Sequence, residues 1–111
     1  MNNQDAARES ASAEVLQPFR ERLDVLNVRL MALLAERMMV CLEVAKVKAA
    51  RDIPMMQPAR VRQVLDKVRV QSPELGLRPE YASAVFKLII EETCLQEARL
   101  IEALLRKGTD S

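Results

Sequence analysis

The sequence predicts an all-α fold in which one very long N-terminal helix is followed by two shorter helices. The 111-residue chain has only 2 glycines and 3% aromatic residues. Such a composition disfavours β-sheets, which need many tight turns, and the abundant Leu, Ala, Met, Glu, Arg and Lys favour helix. Along the first half of the chain, apolar residues also recur at alternating intervals of three and four, which is a helical heptad pattern. A chain of this length is expected to form one domain.

The first helix is predicted to begin near Ser12, whose hydroxyl can cap a helix, and to end near Arg51. Residues 1–12 are polar and are predicted to form a disordered tail, so that the helical domain covers residues 13–108. Pro18 is tolerated because it lies close to the predicted start. The heptad seam of this helix consists of Leu16, Phe19, Leu23, Leu26, Leu30, Leu33, Val40, Val44 and Val47.

The length of the first helix predicts a dimer. About 38 residues at 1.5 Å each span about 57 Å, whereas a compact chain of this size has a radius of gyration of about 13 Å. Two short helices are therefore too small to cover the whole seam. We expect an intertwined homodimer in which the seam contacts a second subunit.

Prolines and glycines separate the remaining helices. Pro54 and Pro58 form a short rigid connector, and the second helix is predicted to begin near Pro58. A loop containing Gly76 leads to a third helix from about Pro79, which Gly108 is expected to end. The inner faces are predicted to carry Val61, Val64, Leu65 and Val68 in the second helix, and Val85, Ile89, Leu100 and Leu104 in the third.

Charge and residue usage exclude several classes of function. The 17 basic and 16 acidic residues are interspersed and give a net charge of +1, which favours neither nucleic acid nor an anionic membrane surface as a partner. The absence of histidine removes His-based general bases, Ser-His-Asp triads and most zinc sites. No apolar run approaches membrane-spanning length. Cys41 and Cys94 lie within helical patterns, which indicates free thiols in a reducing, cytoplasmic compartment.

Two cations lie on the apolar face of the first helix. Arg37 and Lys48 are separated by almost three turns, so they project from the same face, with Cys41 and Val44 between them. We infer that they belong to one site. Arg20 lies about 25 Å before Arg37 on a continuous helix, so it can join the same pocket only from a partner subunit.

The third helix repeats this pattern, because Thr93 and Glu97 interrupt its apolar stripe. Arg60, early in the second helix, is the remaining candidate residue for the same site.

Each of these residues has a structural alternative. Arg37 can set the register of the seam, Lys48 can interact with the helix dipole, and Glu97 can pair with a neighbouring arginine. Thr93 can return its hydroxyl to the backbone of the preceding turn. However, buried cations need anions that one glutamate does not supply, so together the residues predict a site for a small dianion between the helices.

Three segments carry a resemblance to a known family: FRERLDVLNVRLMALLAERMMVCLEVAKVKAA, PARV and FKLIIEETCLQEARLI. From Leu16 to about Leu105 the chain resembles the all-helical chorismate mutases. The resemblance implies an isomerase that converts chorismate to prephenate by a Claisen rearrangement, without metal or cofactor, in an intertwined dimer with two equivalent sites. It places the reaction in the shikimate pathway, with aromatic amino acid biosynthesis or a secondary pathway as the destination of the product.

The resemblance also implies roles for individual residues. Arg37, Arg60 and the partner subunit's Arg20 would bind the two carboxylates of chorismate. Lys48 would face the ether oxygen and a neighbouring carboxylate, and Thr93 would help to hold the ring carboxylate. Catalysis would come from holding a compact diaxial conformer and from donors placed at the ether oxygen, where negative charge develops.

Three positions depart from the best-known bacterial pattern. Gln57 and Val61 stand where that pattern has Asp and Glu, so the carboxylate that would accept from the ring hydroxyl is missing, and Gln57 or a backbone carbonyl is expected to substitute. Glu97 stands where many bacterial members have Gln. An ionised Glu97 would repel the developing oxyanion, so we expect this catalytic residue to act in its protonated form.

These departures leave two related reactions open. Val61 directly after Arg60 resembles the sister enzymes that eliminate pyruvate from isochorismate, although Glu97 counts against that lyase. The segment IPMMQPARV is similar to mutases that act on 4-amino-4-deoxychorismate. A non-catalytic helical dimer is the remaining alternative, and the effect of Arg37→Ala on turnover separates it from the enzymes.

Overall fold

The computed structural model describes residues 3–109 of the chain. Within this range the chain forms three α-helices, α1 (Asn3–Ala50), α2 (Pro58–Gln71) and α3 (Pro79–Thr109), with a short 3-10 helix at Pro73–Leu75. No strand occurs in these residues, and the predicted all-α fold and order of helices are confirmed. None of the described helices combines the length and apolarity of a membrane span.

The helix α1 begins at Asn3, well before the start predicted at Ser12. Residues 3–12, predicted as a disordered tail, are helical. The reason is local: this segment contains no Gly or Pro, and it is rich in Ala, which has the highest helix propensity. Residues 1–2 of the predicted tail lie outside the described residues. Pro18 therefore lies in the helix interior rather than near its start, and the helix continues through it.

The chain divides into two units, Met1–Ala35 and Glu36–Ser111. The described part of the first unit is a single stretch of α1. Its apolar seam is exposed, from 41% for Leu16 to 62% for Leu33. An exposed apolar row of this length is typical of surfaces that bind another molecule.

In the second unit, α2 packs against α3, and two side-chain contacts join α1 to α3. Arg37 contacts Thr93, and Lys48 contacts Glu97. The earlier residue of α1 contacts the earlier residue of α3, and the later one contacts the later. The buried residues of this unit are small or polar: Ala45, Ser72, Ala82, Ser83, Thr93 and Glu97.

A tight reversal ends α1 and begins the connector to α2. Asp52 has a φ of 54°, and the Ile53 amide donates to the Lys48 carbonyl at 2.9 Å. This is the Schellman arrangement, in which a left-handed residue reverses the chain and caps the last helical carbonyls. The connector then leads to Pro58, which occupies the first turn of α2 as predicted.

The link between α2 and α3 depends on Gly76 and on one part-buried hydrogen bond. Gly76 adopts a φ of 77° at the end of the 3-10 helix, a conformation that glycine adopts without steric cost. Arg69 Nε donates to Ser83 Oγ at 3.2 Å and so joins the two helices. The helix α3 continues through Gly108 to Thr109, so the predicted stop at Gly108 is wrong. A glycine in helical conformation costs only about 0.5–1 kcal/mol.

Candidate active site

A cavity of about 490 Å³ lies in the second unit, bounded by the C-terminal part of α1, the connector, α2 and α3. Four of the predicted site residues line it: Lys48, Gln57, Arg60 and Glu97. The rest of its wall is apolar except for one thiol and consists of Val40, Cys41, Val44, Val47, Ile53, Val61, Val64 and Ile90. An apolar pocket with a few converging polar groups is the usual form of a small-molecule site.

The Lys48 ammonium connects three parts of this unit. Its Nζ lies 3.4 Å from Glu97 Oε1 and donates to the Met55 carbonyl of the connector at 3.1 Å. The Lys48 and Glu97 side chains are only 14% and 8% exposed, so each largely depends on the other for charge compensation. An ammonium has three N–H donors. The third is available to a ligand in the cavity.

Arg37 and Thr93 form the second contact between α1 and α3. Arg37 Nη1 donates to Thr93 Oγ1 at 3.1 Å and to Cys41 Sγ at 3.8 Å. The buried Thr93 hydroxyl donates to the Ile89 carbonyl at 2.8 Å, which is the backbone bond of the preceding turn that the sequence left open. Neither Arg37 nor Thr93 lines the cavity, but Cys41, which Arg37 contacts, does.

The charged ends of Arg37 and Lys48 converge toward one stretch of α3. The two residues are about 16 Å apart along α1, whereas their partners Thr93 and Glu97 are about 6 Å apart along α3. Arg37 also contacts Cys41, one turn further along α1, so its side chain extends along the helix toward Lys48. The cavity wall itself carries two cations, Lys48 and Arg60, and one carboxylate, Glu97, so it has a net positive charge that suits an anion. Among residues 3–109, no cluster of three or more potential metal ligands accompanies them.

Gln57 and Arg60 form an exposed rim at the start of α2. Gln57 Nε2 donates to the Pro54 carbonyl at 3.4 Å, and Arg60 Nη1 donates to Gln63 Oε1 at 2.7 Å. Both interactions are local and exposed, so they can be exchanged for contacts with a ligand at low cost.

Arg20, the remaining predicted site residue, lies in the first unit and is exposed. Its assignment to the site stays a prediction that involves a second subunit.

Sequence reasoning missed two groups that contact the predicted site residues. The first is Cys41 Sγ, an acceptor for Arg37; its position one turn after Arg37 on the same face was the available signal. The second is the Met55 carbonyl, an acceptor for Lys48. A backbone carbonyl is common to all residues, so no residue type could have indicated it.

Comparisons with known proteins agree on one family. Residues 19–98 match the family described as chorismate mutase type II, and every predicted site residue lies in this range. A 4-amino-4-deoxychorismate mutase of Streptomyces pristinaespiralis is 31% identical over 88 residues, which cover 79% of this chain and 68% of that protein.

Two further relatives differ in length. A bifunctional chorismate mutase/prephenate dehydratase of Escherichia coli (strain K12) is 32% identical over 96 residues, 86% of this chain but 25% of that protein. A chorismate mutase of Methanocaldococcus jannaschii is 24% identical over 95 residues, 86% of this chain and 96% of that protein. The chain thus spans only a quarter of the length of the bifunctional relative.

Removal of the Lys48 ammonium should destabilise the protein, because the buried Glu97 carboxylate then has no counterion. We expect Lys48→Met to lower the free energy of unfolding by about 2–3 kcal/mol, since the pair is largely shielded from water. Glu97→Gln in the same protein should restore at least half of the loss, because a neutral amide needs no counterion. Urea unfolding at pH 7, followed by circular dichroism, measures both changes.

The matched control is Lys46→Met, which removes an exposed cation from the same helix. It should change the free energy of unfolding by less than about 0.5 kcal/mol. An equal loss for Lys48→Met with and without Glu97→Gln would contradict the importance of the ion pair.

Proposed function

Because the chain belongs to the chorismate mutase type II family, we propose that it converts chorismate to prephenate in this cavity. The observation that carries the proposal is the convergence of Arg37 and Lys48 beside an apolar wall that holds a single carboxylate. Chorismate is a dianion, and its rearrangement is unimolecular and needs no nucleophile. The protein has to hold a compact conformer and stabilise charge on the ether oxygen, and both tasks require fixed donors.

Lys48 is the proposed donor to the ether oxygen. Two of its N–H groups face Glu97 and the Met55 carbonyl, so its position is fixed before the substrate binds. A donor that is already oriented stabilises the transition state without reorganisation. The carboxylates of chorismate would be bound by Arg37, by Arg60 at the rim, and by the partner subunit's Arg20.

Glu97 is the proposed second donor to the ether oxygen, in its protonated form. Its carboxylate faces the Lys48 ammonium from α1, and Arg60 of α2 lines the same cavity. A bound dianion would compete for both cations and place further negative charge beside Glu97. Protonation of Glu97 would remove that repulsion and supply an O–H donor.

The site is proposed to be completed in a homodimer. The seam of the first unit is exposed along its whole length, including Leu23, Leu26 and Leu30, and burial of these side chains against a second copy would stabilise both chains. Arg20 lies on this helix within the exposed stretch. It would thereby reach the cavity of the partner.

A cytoplasmic location is part of the proposal. Cys41 and Cys94 are both free thiols, and free thiols are typical of proteins in a reducing compartment. The product prephenate would enter aromatic amino acid biosynthesis.

A second candidate substrate is 4-amino-4-deoxychorismate, in which an amine replaces the ring hydroxyl. The observation that favours it is that Gln57 and Val61 line the cavity and neither of them carries a carboxylate. The Gln57 side chain offers a carbonyl oxygen to an amine, since its hydrogen bond to the Pro54 carbonyl uses only Nε2. The Streptomyces pristinaespiralis relative carries this activity in its name.

The proposed function is tested by turnover of the purified protein. Chorismate, isochorismate and 4-amino-4-deoxychorismate are supplied in parallel, and the products are identified by mass. We expect prephenate from chorismate, and a loss of about 10²–10³ in kcat for Lys48→Ala but not for the exposed control Lys46→Ala. Release of salicylate and pyruvate from isochorismate, or a strong preference for the amino substrate, would instead assign one of the two related reactions. Absence of turnover with all three substrates would refute an enzymatic function.

The role of Glu97 predicts a pH dependence with a definite sign. If the O–H of a protonated carboxyl is the active donor, kcat should be higher in acid than in alkaline solution. Glu97→Gln keeps an N–H donor at every pH, so its kcat profile should be flat. The profiles are measured from acid to alkaline pH, with circular dichroism to verify that the protein stays folded. A flat profile for the unmodified protein would remove this role.

The contribution of Arg20 across the dimer predicts complementation between two inactive variants. Arg20→Ala and Lys48→Ala are mixed after co-unfolding and refolding. If Arg20 acts in the partner's site, activity should return to about a quarter of the unmodified level, because half of the dimers are mixed and each mixed dimer has one intact site. No return of activity, with mixed dimers verified by mass spectrometry, would place Arg20 outside the partner's site.

A further inference from the structure

The connector binds Lys48 at two points. The Ile53 amide donates to the Lys48 carbonyl at 2.9 Å, and the Lys48 ammonium donates to the Met55 carbonyl at 3.1 Å. The helix α1 ends shortly after Lys48, at Ala50. Both bonds therefore require the chain to reverse immediately after the helix, so that the connector runs back beside the Lys48 side chain.

The reversal depends on the backbone of Asp52. Its φ of 54° is the only positive φ of a non-glycine residue within residues 3–109. The Asp52 side chain is exposed, and Asp52 does not line the cavity. Most residue types disfavour the left-handed region because Cβ then lies too close to the backbone, whereas Gly, Asn and Asp adopt it more readily. Asp52 therefore contributes the path of the backbone, and not a side chain in the site.

A lysine needs such support to act as a fixed donor. Its ammonium lies at the end of a flexible four-carbon stem, and a donor stabilises the transition state best when it is oriented before the substrate binds. Glu97 supplies one partner for Lys48. In the proposed active form, however, Glu97 carries a proton, so its attraction for the ammonium is weakened by the loss of the negative charge. The Met55 carbonyl accepts in both forms, since it has no proton to gain.

We propose that Asp52 and the Met55 carbonyl position Lys48 for catalysis. The left-handed Asp52 folds the connector back, and the Met55 carbonyl then holds the Lys48 ammonium at the cavity wall. Neither Asp52 nor Met55 lines the cavity, whereas Lys48 does, so Asp52 is a positioning residue that acts through Lys48. The inference rests on the proposed function, because the reaction that Lys48 would serve is the rearrangement of chorismate.

Substitutions at position 52 test the proposal through turnover. Asp52→Val places a side chain branched at Cβ in the left-handed region and should lower kcat for chorismate about tenfold, because Lys48 loses its fixed position. Asp52→Gly accepts the same backbone conformation without any side chain and should keep kcat within about twofold.

The matched control is Met56→Val. It introduces the same side chain at an exposed connector residue whose φ is not in the left-handed region, and it should change kcat less than about twofold. Urea unfolding verifies that each variant is folded under the conditions of the assay. If Asp52→Val does not fold, Asp52→Ala takes its place with an expected loss of about threefold, because any Cβ disfavours the left-handed region.

The mobility of the Lys48 ammonium gives a readout that a loss of general stability does not change. NMR relaxation of lysines labelled with the heavy nitrogen isotope measures the order of each Nζ group, and Lys48→Arg identifies the Lys48 signal. The measurement is made with Glu97→Gln in place, which mimics the neutral carboxyl. Lys48 should then be more ordered than the exposed Lys46. Addition of Asp52→Gly should preserve this order, and addition of Asp52→Val should make Lys48 as mobile as Lys46.

The outcomes separate this inference from the proposed function. Unchanged kcat in Asp52→Val, or an equal loss in Asp52→Gly and Asp52→Val, would show that the left-handed backbone does not support catalysis. A Lys48 ammonium that is equally ordered in all these proteins would show that the connector does not hold it. Each of these results would overturn the positioning role while the mutase assignment stands. Failure of the unmodified protein to convert chorismate would overturn both.

Discussion

The second unit depends on the need of a buried carboxylate for a counterion. Glu97 of α3 is compensated by Lys48 of α1, and the same ammonium binds the Met55 carbonyl of the connector. One side chain thus joins α1, α3 and the connector that follows α1, in a unit where Ala45 and Ala82 are the buried apolar residues among those that the structure describes. Polar contacts of this kind fix the position of the helices more strictly than apolar packing, because a hydrogen bond fails over a shift of less than 1 Å.

The same contacts link the fold to the chemistry. Arg37 and Lys48 each use part of their donor capacity within the chain and retain the rest for a ligand. The orientation of each donor is therefore set by the folded protein, and little conformational freedom is lost when a substrate binds. Preorganisation of this sort is what a unimolecular rearrangement requires, since no bond to the protein is made or broken.

The sequence allowed the order of the helices and four residues of the cavity wall, Lys48, Gln57, Arg60 and Glu97, to be predicted. Apolar spacing indicated α1, and the prolines at 54 and 58 indicated the connector. Lys48 and Glu97 stood out because charges on an apolar face are costly. The early start of α1 was missed because a polar composition was taken as disorder, although the alanines favour helix. The bond from Arg37 to Thr93 depends on the approach of α1 to α3, which local sequence does not encode.

The left-handed backbone of Asp52 carries a consequence for how this protein can vary. At a φ of 54° a side chain branched at Cβ is strongly disfavoured, whereas Gly, Asn and Asp are accepted. The limit comes from a dihedral angle and not from any contact with a ligand. Substitutions at position 52 are thus confined to a few residue types, whatever reaction the protein catalyses. The chain reversal after α1 should therefore be retained in evolved variants that act on a different substrate.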